Sequence, residues 1–171
     1  VCEDLSYPFV SEPELAKKLD ALGMKYGVSF RGTGVNPGFL LDTLVITLTG
    51  ACQRVDKIRA ERVINAAKRR LPFQKKIGAG LTVNDFKKKI EEKAITGHVG
   101  LTQSIGMVAN ALRWELDKIE VDSTEPIIAE ENVGSEHIKV KKGQVAGLRQ
   151  LARGIIKRKE VITLDFQAYI G

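Results

Sequence analysis

The residues best suited to chemistry fall in four places along the chain. His98 stands in Thr96-Gly-His-Val-Gly-Leu101, between two glycines at a loop-to-helix junction. An imidazole titrates near neutrality, so a histidine in such a loop suits proton transfer or a hydrogen bond to a polar substrate. A structural loop histidine is the competing reading. His137, which follows Gly134-Ser-Glu136, reads as a surface residue. The second place is Gly32-Thr-Gly34-Val-Asn36-Pro37-Gly38-Phe39, whose glycine spacing is one residue longer than the dinucleotide fingerprint G-x-G-x-x-G. Its glycines let backbone approach a flat ligand, and a helix starting there would offer unpaired N–H groups. A tight structural turn accounts for the same residues. Third, Arg69, Arg70, Gln74, Lys75 and Lys76 precede Gly78-Ala-Gly80 and could capture a carboxylate, or form a solvated loop. Fourth, Glu3 and Asp4 could hold a substrate ammonium at a strand end, or lie in a solvated turn. No Ser-His-Asp set, HExxH motif or CxxC pair is present, so hydrolase and metal chemistry have no residues to stand on.

These residues need elements to hold them. Residues 1–8 read as the end of a strand entering a loop. Ser11-Glu-Pro-Glu14 predicts a capped helix that runs through Leu15, Leu19, Leu22 and Tyr26 to Gly27. Val28–Phe30 then reads as a short buried strand. Asn36 as cap and Pro37 as first helical residue predict a helix over 37–50. Its nearly continuous apolar surface predicts burial on several sides. A strand is expected over 54–65 and an irregular basic segment over 66–80. Thr82-x-x-Asp85 caps a helix over 83–94 that turns Phe86 and Ile90 inward, and Ile105, Val108, Ala109 and Leu112 recur at helical spacing. The remaining chain reads as strands over 116–130, 138–156 and 161–170, with Lys157-Arg-Lys-Glu160 joining the last two. The class expected is α+β: a mixed, largely antiparallel sheet with helices on one face, preceded by a helix–strand unit of an α/β layer.

Composition bounds the possibilities. With 171 residues, 43% hydrophobic and 28% charged, the chain is an ordinary globular sequence and not a disordered tail, a collagen rod or a disulfide scaffold. Cys2 and Cys52, with no second pair, argue for a reducing cytoplasm. No apolar run reaches the roughly 18 residues that span a bilayer, and VCEDLSYPFV lacks a signal-peptide pattern, so no membrane partner is expected. The net charge of +6 hides opposed blocks: residues 54–93 carry 13 basic and 5 acidic groups, residues 115–136 carry 1 and 8, and residues 137–171 carry 8 and 2. A nucleic-acid face would not interrupt itself in this way, so no nucleic-acid partner is expected. The start at Val1 and the halt just after ITLDFQAYIG suggest a piece of a longer polypeptide.

Taken in order, Cys2-Glu-Asp-Leu-Ser-Tyr-Pro8, Gly32-Thr-Gly-Val-Asn-Pro-Gly-Phe39, Cys52-Gln-Arg54, Arg69-Arg-Leu-Pro72, Lys76-Ile-Gly-Ala-Gly-Leu81, Gly97-His-Val-Gly-Leu101 and Leu164-Asp-Phe-Gln-Ala-Tyr-Ile-Gly171 resemble the 2,4-diaminopentanoate dehydrogenase family. That family is related to dihydrodipicolinate reductase and meso-diaminopimelate dehydrogenase. The resemblance implies that residues 1–42 end a Rossmann-like dinucleotide-binding domain and that residues 43–171 form a substrate and oligomerisation domain. It implies NAD or NADP as cofactor in the full-length protein, with Gly34, Asn36, Pro37 and Gly38 near the nicotinamide. It further implies His98, Gln74 and Lys76 as candidates for the substrate pocket, with His98 the catalytic candidate and no residue assigned as acid or base; Glu3 joins the substrate contacts on its carboxylate chemistry alone. The reaction implied is reversible oxidative deamination of a small diamino acid by a homo-oligomer, a dimer or tetramer, with the isolated piece inactive. The paired-histidine and lysine motif of dihydrodipicolinate reductase is missing, which favours amine dehydrogenase chemistry. Two rivals remain: a reductase of another substrate, and a non-catalytic association module in which an unpaired strand such as 161–170 pairs across subunits.

Overall fold

The computed structural model of the chain describes residues 3–171; Val1, Cys2 and the Asp4 side chain lie outside the described residues. From Glu3 onward the expected strand end is instead a 3-10 turn, Glu3–Leu5, followed by the single helical turn α1, Pro8–Ser11. Ser11 therefore closes one helix rather than capping the next. Pro13 opens α2, Pro13–Tyr26, behind Glu12, which makes no side-chain cap. Proline suits a first helical turn because its missing N–H would be unbonded there in any case. Gly27 ends α2 in the left-handed conformation, at φ 63°, as expected.

Two expectations in this region are corrected. Val28–Phe30 is not a buried strand: it pairs with nothing among the described residues, and Phe30 is 56% exposed. Without a neighbouring ladder, its alternating pattern has no sheet to enter. The helix expected over 37–50 shortens to α3, Thr43–Thr49, because residues 36–42 form successive turns and the cap is Asp42, not Asn36. None of the α3 residues is buried, and Leu48 is 64% exposed, so its apolar surface does not mark an enclosed helix.

The remaining helices are α4 (Leu71–Lys76), α5 (Val83–Glu91) and α6 (Leu101–Ala111). At the start of α5 the Thr82 hydroxyl accepts the Asp85 N–H at 3.1 Å and donates to Asp85 Oδ2 at 2.7 Å, the cap that the spacing predicts. The strands are β1 (Ile58–Asn65), β2 (Lys118–Val121), β3 (Glu125–Ile128), β4 (Val133–Gly134), β5 (Lys139–Val140), β6 (Val145–Ile156) and β7 (Lys159–Tyr169). The main sheet has the order β1-β7-β6-β2, with β3 also pairing β6, while β4 and β5 form a separate ribbon. Both β2 and β3 run antiparallel to β6, in registers that oppose Ile119 to Gly154 and Pro126 to Leu148. Lys157 and Arg158, at φ 48° and 65°, make the two-residue turn between β6 and β7. Positive φ at both positions matches the twist of the flanking strands. The strand over 161–170 is thus not unpaired: β7 lies between β1 and β6.

Two compact units result, each drawn from three segments: Val1–Ala60, Val99–Val121 and Ala152–Leu164 in the first, and Glu61–His98, Asp122–Leu151 and Asp165–Gly171 in the second. In the first unit α6 packs on α1, α3 and β2 and buries Leu101, Ile105 and Val108. In the second, Ile77, Phe86, Val140, Val145 and Leu148 are buried. No helix among the described residues is long and apolar enough to cross a membrane.

The second unit also holds a buried carboxylate. Asp165 is 0% exposed and accepts Arg149 Nε–H at 2.9 Å and Nη2–H at 2.6 Å, a two-pronged contact that raises the guanidinium above its ordinary value. The Arg149 side chain is itself 38% exposed. The two ends of the pair are therefore unequal. Arg149→Ala strands a carboxylate away from water, whereas Asp165→Ala leaves a guanidinium that reaches solvent. Urea denaturation should show Arg149→Ala costing about 2 kcal/mol or more, and Asp165→Ala clearly less; equal losses contradict this account.

Candidate functional site

In the first unit the glycine-rich turn is gathered around two carboxylates. Glu3 Oε1 accepts the Val35 N–H at 2.9 Å and the Asn36 N–H at 3.5 Å. This closeness explains Gly34, where a Cβ would run into the Glu3 side chain. On the other side of the turn Asp42, fully buried, accepts three donors. Gly38 N–H and Ser104 Oγ–H reach Oδ2 at 2.8 and 2.7 Å, and Thr43 N–H reaches Oδ1 at 2.5 Å. Thr43 Oγ1 donates back to the Gly38 carbonyl at 2.9 Å, and Ser6 Oγ donates to the Pro37 carbonyl at 3.2 Å. The Asn36–Pro37 bond is cis. Gly100, at φ 98°, packs where a Cβ would strike the Pro37 ring. Glu3, Gly34, Asn36, Pro37 and Gly38 are therefore brought together. Asp42 and Ser104, which hold that turn, were not candidates in the sequence. The only hint was the acidic residue placed four positions after Gly38.

Beside the turn, still within the first unit, runs a groove of about 1080 Å³. Phe30, Gly32, Gly34, Gly38 and Met107 are among its lining residues. Glycines form part of its wall, and Asp20 and Arg31 stand among its lining residues, so backbone and charged groups as well as apolar side chains face the space.

The second unit holds His98. Its backbone N–H donates to Gln150 Oε1 at 2.8 Å, and Gln150 Nε2–H donates onward to the Asp122 carbonyl at 3.2 Å. The imidazole is stacked on Phe166, with ring centroids 4.2 Å apart and planes 12° from parallel. Stacking occupies one face of the ring, and both nitrogens lie on its edge. Arg62 Cζ lies 5.9 Å from the centroid of the same Phe166 ring.

Gln74 and Lys76 belong to the same unit but not to this cluster. Gln74 is 0% exposed; its amide donates to the Ala67 and Arg69 carbonyls at 3.4 and 2.8 Å and accepts Ser135 Oγ–H at 2.6 Å. That geometry makes it a brace between α4 and the segments on either side, not an open amide. The expectation of a solvent-facing carboxylate trap fails at this residue because its polar atoms are already used. Lys76 is exposed at the end of α4, and Arg69 lies over Phe73, 5.4 Å from its ring centroid. His137 is exposed, as expected. Among the described residues no group of three or more His, Cys, Asp or Glu side chains could hold a metal ion.

If Asp42 fixes the turn, its removal should free the amides that it holds. In Asp42→Ala the Gly38 and Thr43 amides should exchange with deuterium at least about tenfold faster, a change of roughly 1.4 kcal/mol. Unchanged exchange at both would show that the turn holds itself.

Residues 39–170 match the family profile described as the 2,4-diaminopentanoate dehydrogenase C-terminal domain. The chain is 39% identical over 163 residues to the 2,4-diaminopentanoate dehydrogenase of Acetoanaerobium sticklandii, an alignment that covers 95% of this chain and 46% of that protein. The structure of the amine dehydrogenase from Mycobacterium smegmatis shares the fold, with a TM-score of 0.77 at 22% identity, over 99% of this chain and 50% of that one. The chain thus spans about half the length of the relatives it matches. With most of its residues inside the matched profile, the chain belongs to the 2,4-diaminopentanoate dehydrogenase C-terminal domain family.

Proposed function

We propose that this chain is the substrate-binding and assembly portion of an NAD(P)-dependent dehydrogenase that carries out reversible oxidative deamination of a diamino acid such as 2,4-diaminopentanoate. The observation that carries this reading is the 39% identity to a 2,4-diaminopentanoate dehydrogenase over 95% of the chain. The amine-bearing carbon gives up a hydride, and water then converts the resulting imine to a ketone and ammonia. A bound nicotinamide cofactor supplies the hydride acceptor. Gly34 and Gly38, which line the groove, would lie against its ring, with Asn36 and Pro37 completing the turn between them.

The chain's own side chains divide the remaining work. The His98 imidazole, its plane set by Phe166 and its backbone by Gln150, takes a proton from the substrate ammonium, because only the neutral amine can release hydride from its carbon. Glu3, which gives one oxygen to the turn, holds a substrate ammonium with its remaining lone pairs. Lys76 adds positive charge at the end of α4, and Gln74 serves by bracing that helix. The working form is a homo-oligomer, a dimer or tetramer. A reducing cytoplasm suits the exposed Cys52 thiol.

The test uses the dehydrogenase that contains this chain, with 2,4-diaminopentanoate as substrate and nicotinamide reduction as readout. His98→Ala should lower kcat at least about tenfold near neutral pH, with the loss shrinking as the pH is raised and the substrate ammonium loses its proton unaided. Unchanged kinetics at every pH would remove His98 from the reaction, and no turnover of any diamine by the wild type would remove the reading.

A further inference from the structure

Side-chain parity on three strands brings the His98 ring and an arginine to the same aromatic side chain, Phe166. Neighbouring residues on a strand point to opposite faces of a sheet. On β6 these are Arg149 and Gln150, on β7 Asp165 and Phe166, and on β1 Glu61 and Arg62. Arg149, Asp165, Gln167 and Glu61 are bonded together on one face: Gln167 Nε2–H donates to Glu61 Oε1 at 2.7 Å and to Asp165 Oδ1 at 3.4 Å. Gln150 and Phe166 meet His98 on the other, and the Arg62 guanidinium lies over the same Phe166 ring.

We infer that Arg62 is the specificity-determining residue that takes the α-carboxylate of the substrate, with Phe166 as the platform that sets imidazole and guanidinium at a fixed spacing. The inference rests on the reading of His98 as the residue that serves a diamino acid. A 2,4-diamino acid carries its carboxylate on the carbon of one amine and three bonds from the carbon of the other. Anion and reacting amine are therefore a few ångströms apart on one small molecule, and the groups that handle them must be similarly close. An imidazole and a guanidinium that share one aromatic ring meet that requirement.

The other basic side chains considered for this task are placed for different work. Arg149 gives two of its donors to Asp165 on the opposite face, Arg69 lies over Phe73, and Lys76 stands exposed on α4. A planar guanidinium with five donors can hold a carboxylate through two of them while it stays on the ring and keeps contacts with the protein. An ammonium lacks the fork and the flat face, so lysine is not an equivalent here.

The experiment compares 2,4-diaminopentanoate with 1,3-diaminobutane, the same skeleton without the carboxylate, in the dehydrogenase that contains this chain. The wild type should favour the diamino acid. Arg62→Gln should raise KM for the diamino acid at least about tenfold, with kcat/KM for 1,3-diaminobutane held within about twofold. Arg62→Lys should recover only part of the loss, and it decides the matter if Arg62→Gln does not fold. Equal losses on both compounds, or no loss on either, overturn the carboxylate assignment while leaving His98 in place. A wild type that turns over neither compound overturns the diamino-acid reading itself.

Discussion

Strict alternation of side chains along β1, β6 and β7 is the constraint on which the second unit depends. It sends Arg149, Asp165 and Glu61 to one face and Gln150, Phe166 and Arg62 to the other. Shifting any of these strands by one residue would bury the wrong set. A carboxylate with no exposure at Asp165 is tolerable only because a guanidinium grips both of its oxygens. The same register delivers an aromatic face and an amide oxygen to His98. The ionic pair is thus part of how the ring face is aimed, although it touches nothing in the reaction proposed.

A comparable economy governs the first unit. One buried carboxylate, Asp42, takes N–H groups from both ends of the 38–43 segment and a hydroxyl from α6. It serves at once as the cap of α3 and as the anchor of the glycine turn. A short helix with no buried residue gains little from packing, so its start must be fixed by such a bond. The turn beside the groove closes this tightly because Gly34 and Gly38 carry no side chains, which would strike Glu3 and the turn's own backbone.

Much of the frame was legible in local chemistry. The Thr82–Asp85 cap, the Gly27 stop, the inward face of α6 and the turn at Lys157-Arg158 each depend on neighbours in sequence, and each stands where expected. The failures share a cause, which is that the deciding partner is distant. Asn36 has the chemistry of a cap, but Asp42 and Ser104 settle where α3 begins. Val28–Phe30 alternates like a strand yet meets no ladder among the described residues. Gln74 stands in a segment that reads as a carboxylate site or a solvated loop, yet Ser135, 61 positions away, takes its oxygen. At the site, His98 stood out by its glycines, whereas Arg62 is one of several charges on a strand and carries no local signal. Only its position over Phe166 separates it from the others.

Under the proposed function, a diamino acid lies with its reacting amine at the edge of the His98 ring. A structure of the dehydrogenase containing this chain, determined with 2,4-diaminopentanoate bound, tests that claim most directly. The account predicts the substrate amine within hydrogen-bonding distance of an imidazole nitrogen while that ring remains stacked on Phe166. A diamino acid bound productively elsewhere, with His98 untouched, would contradict it.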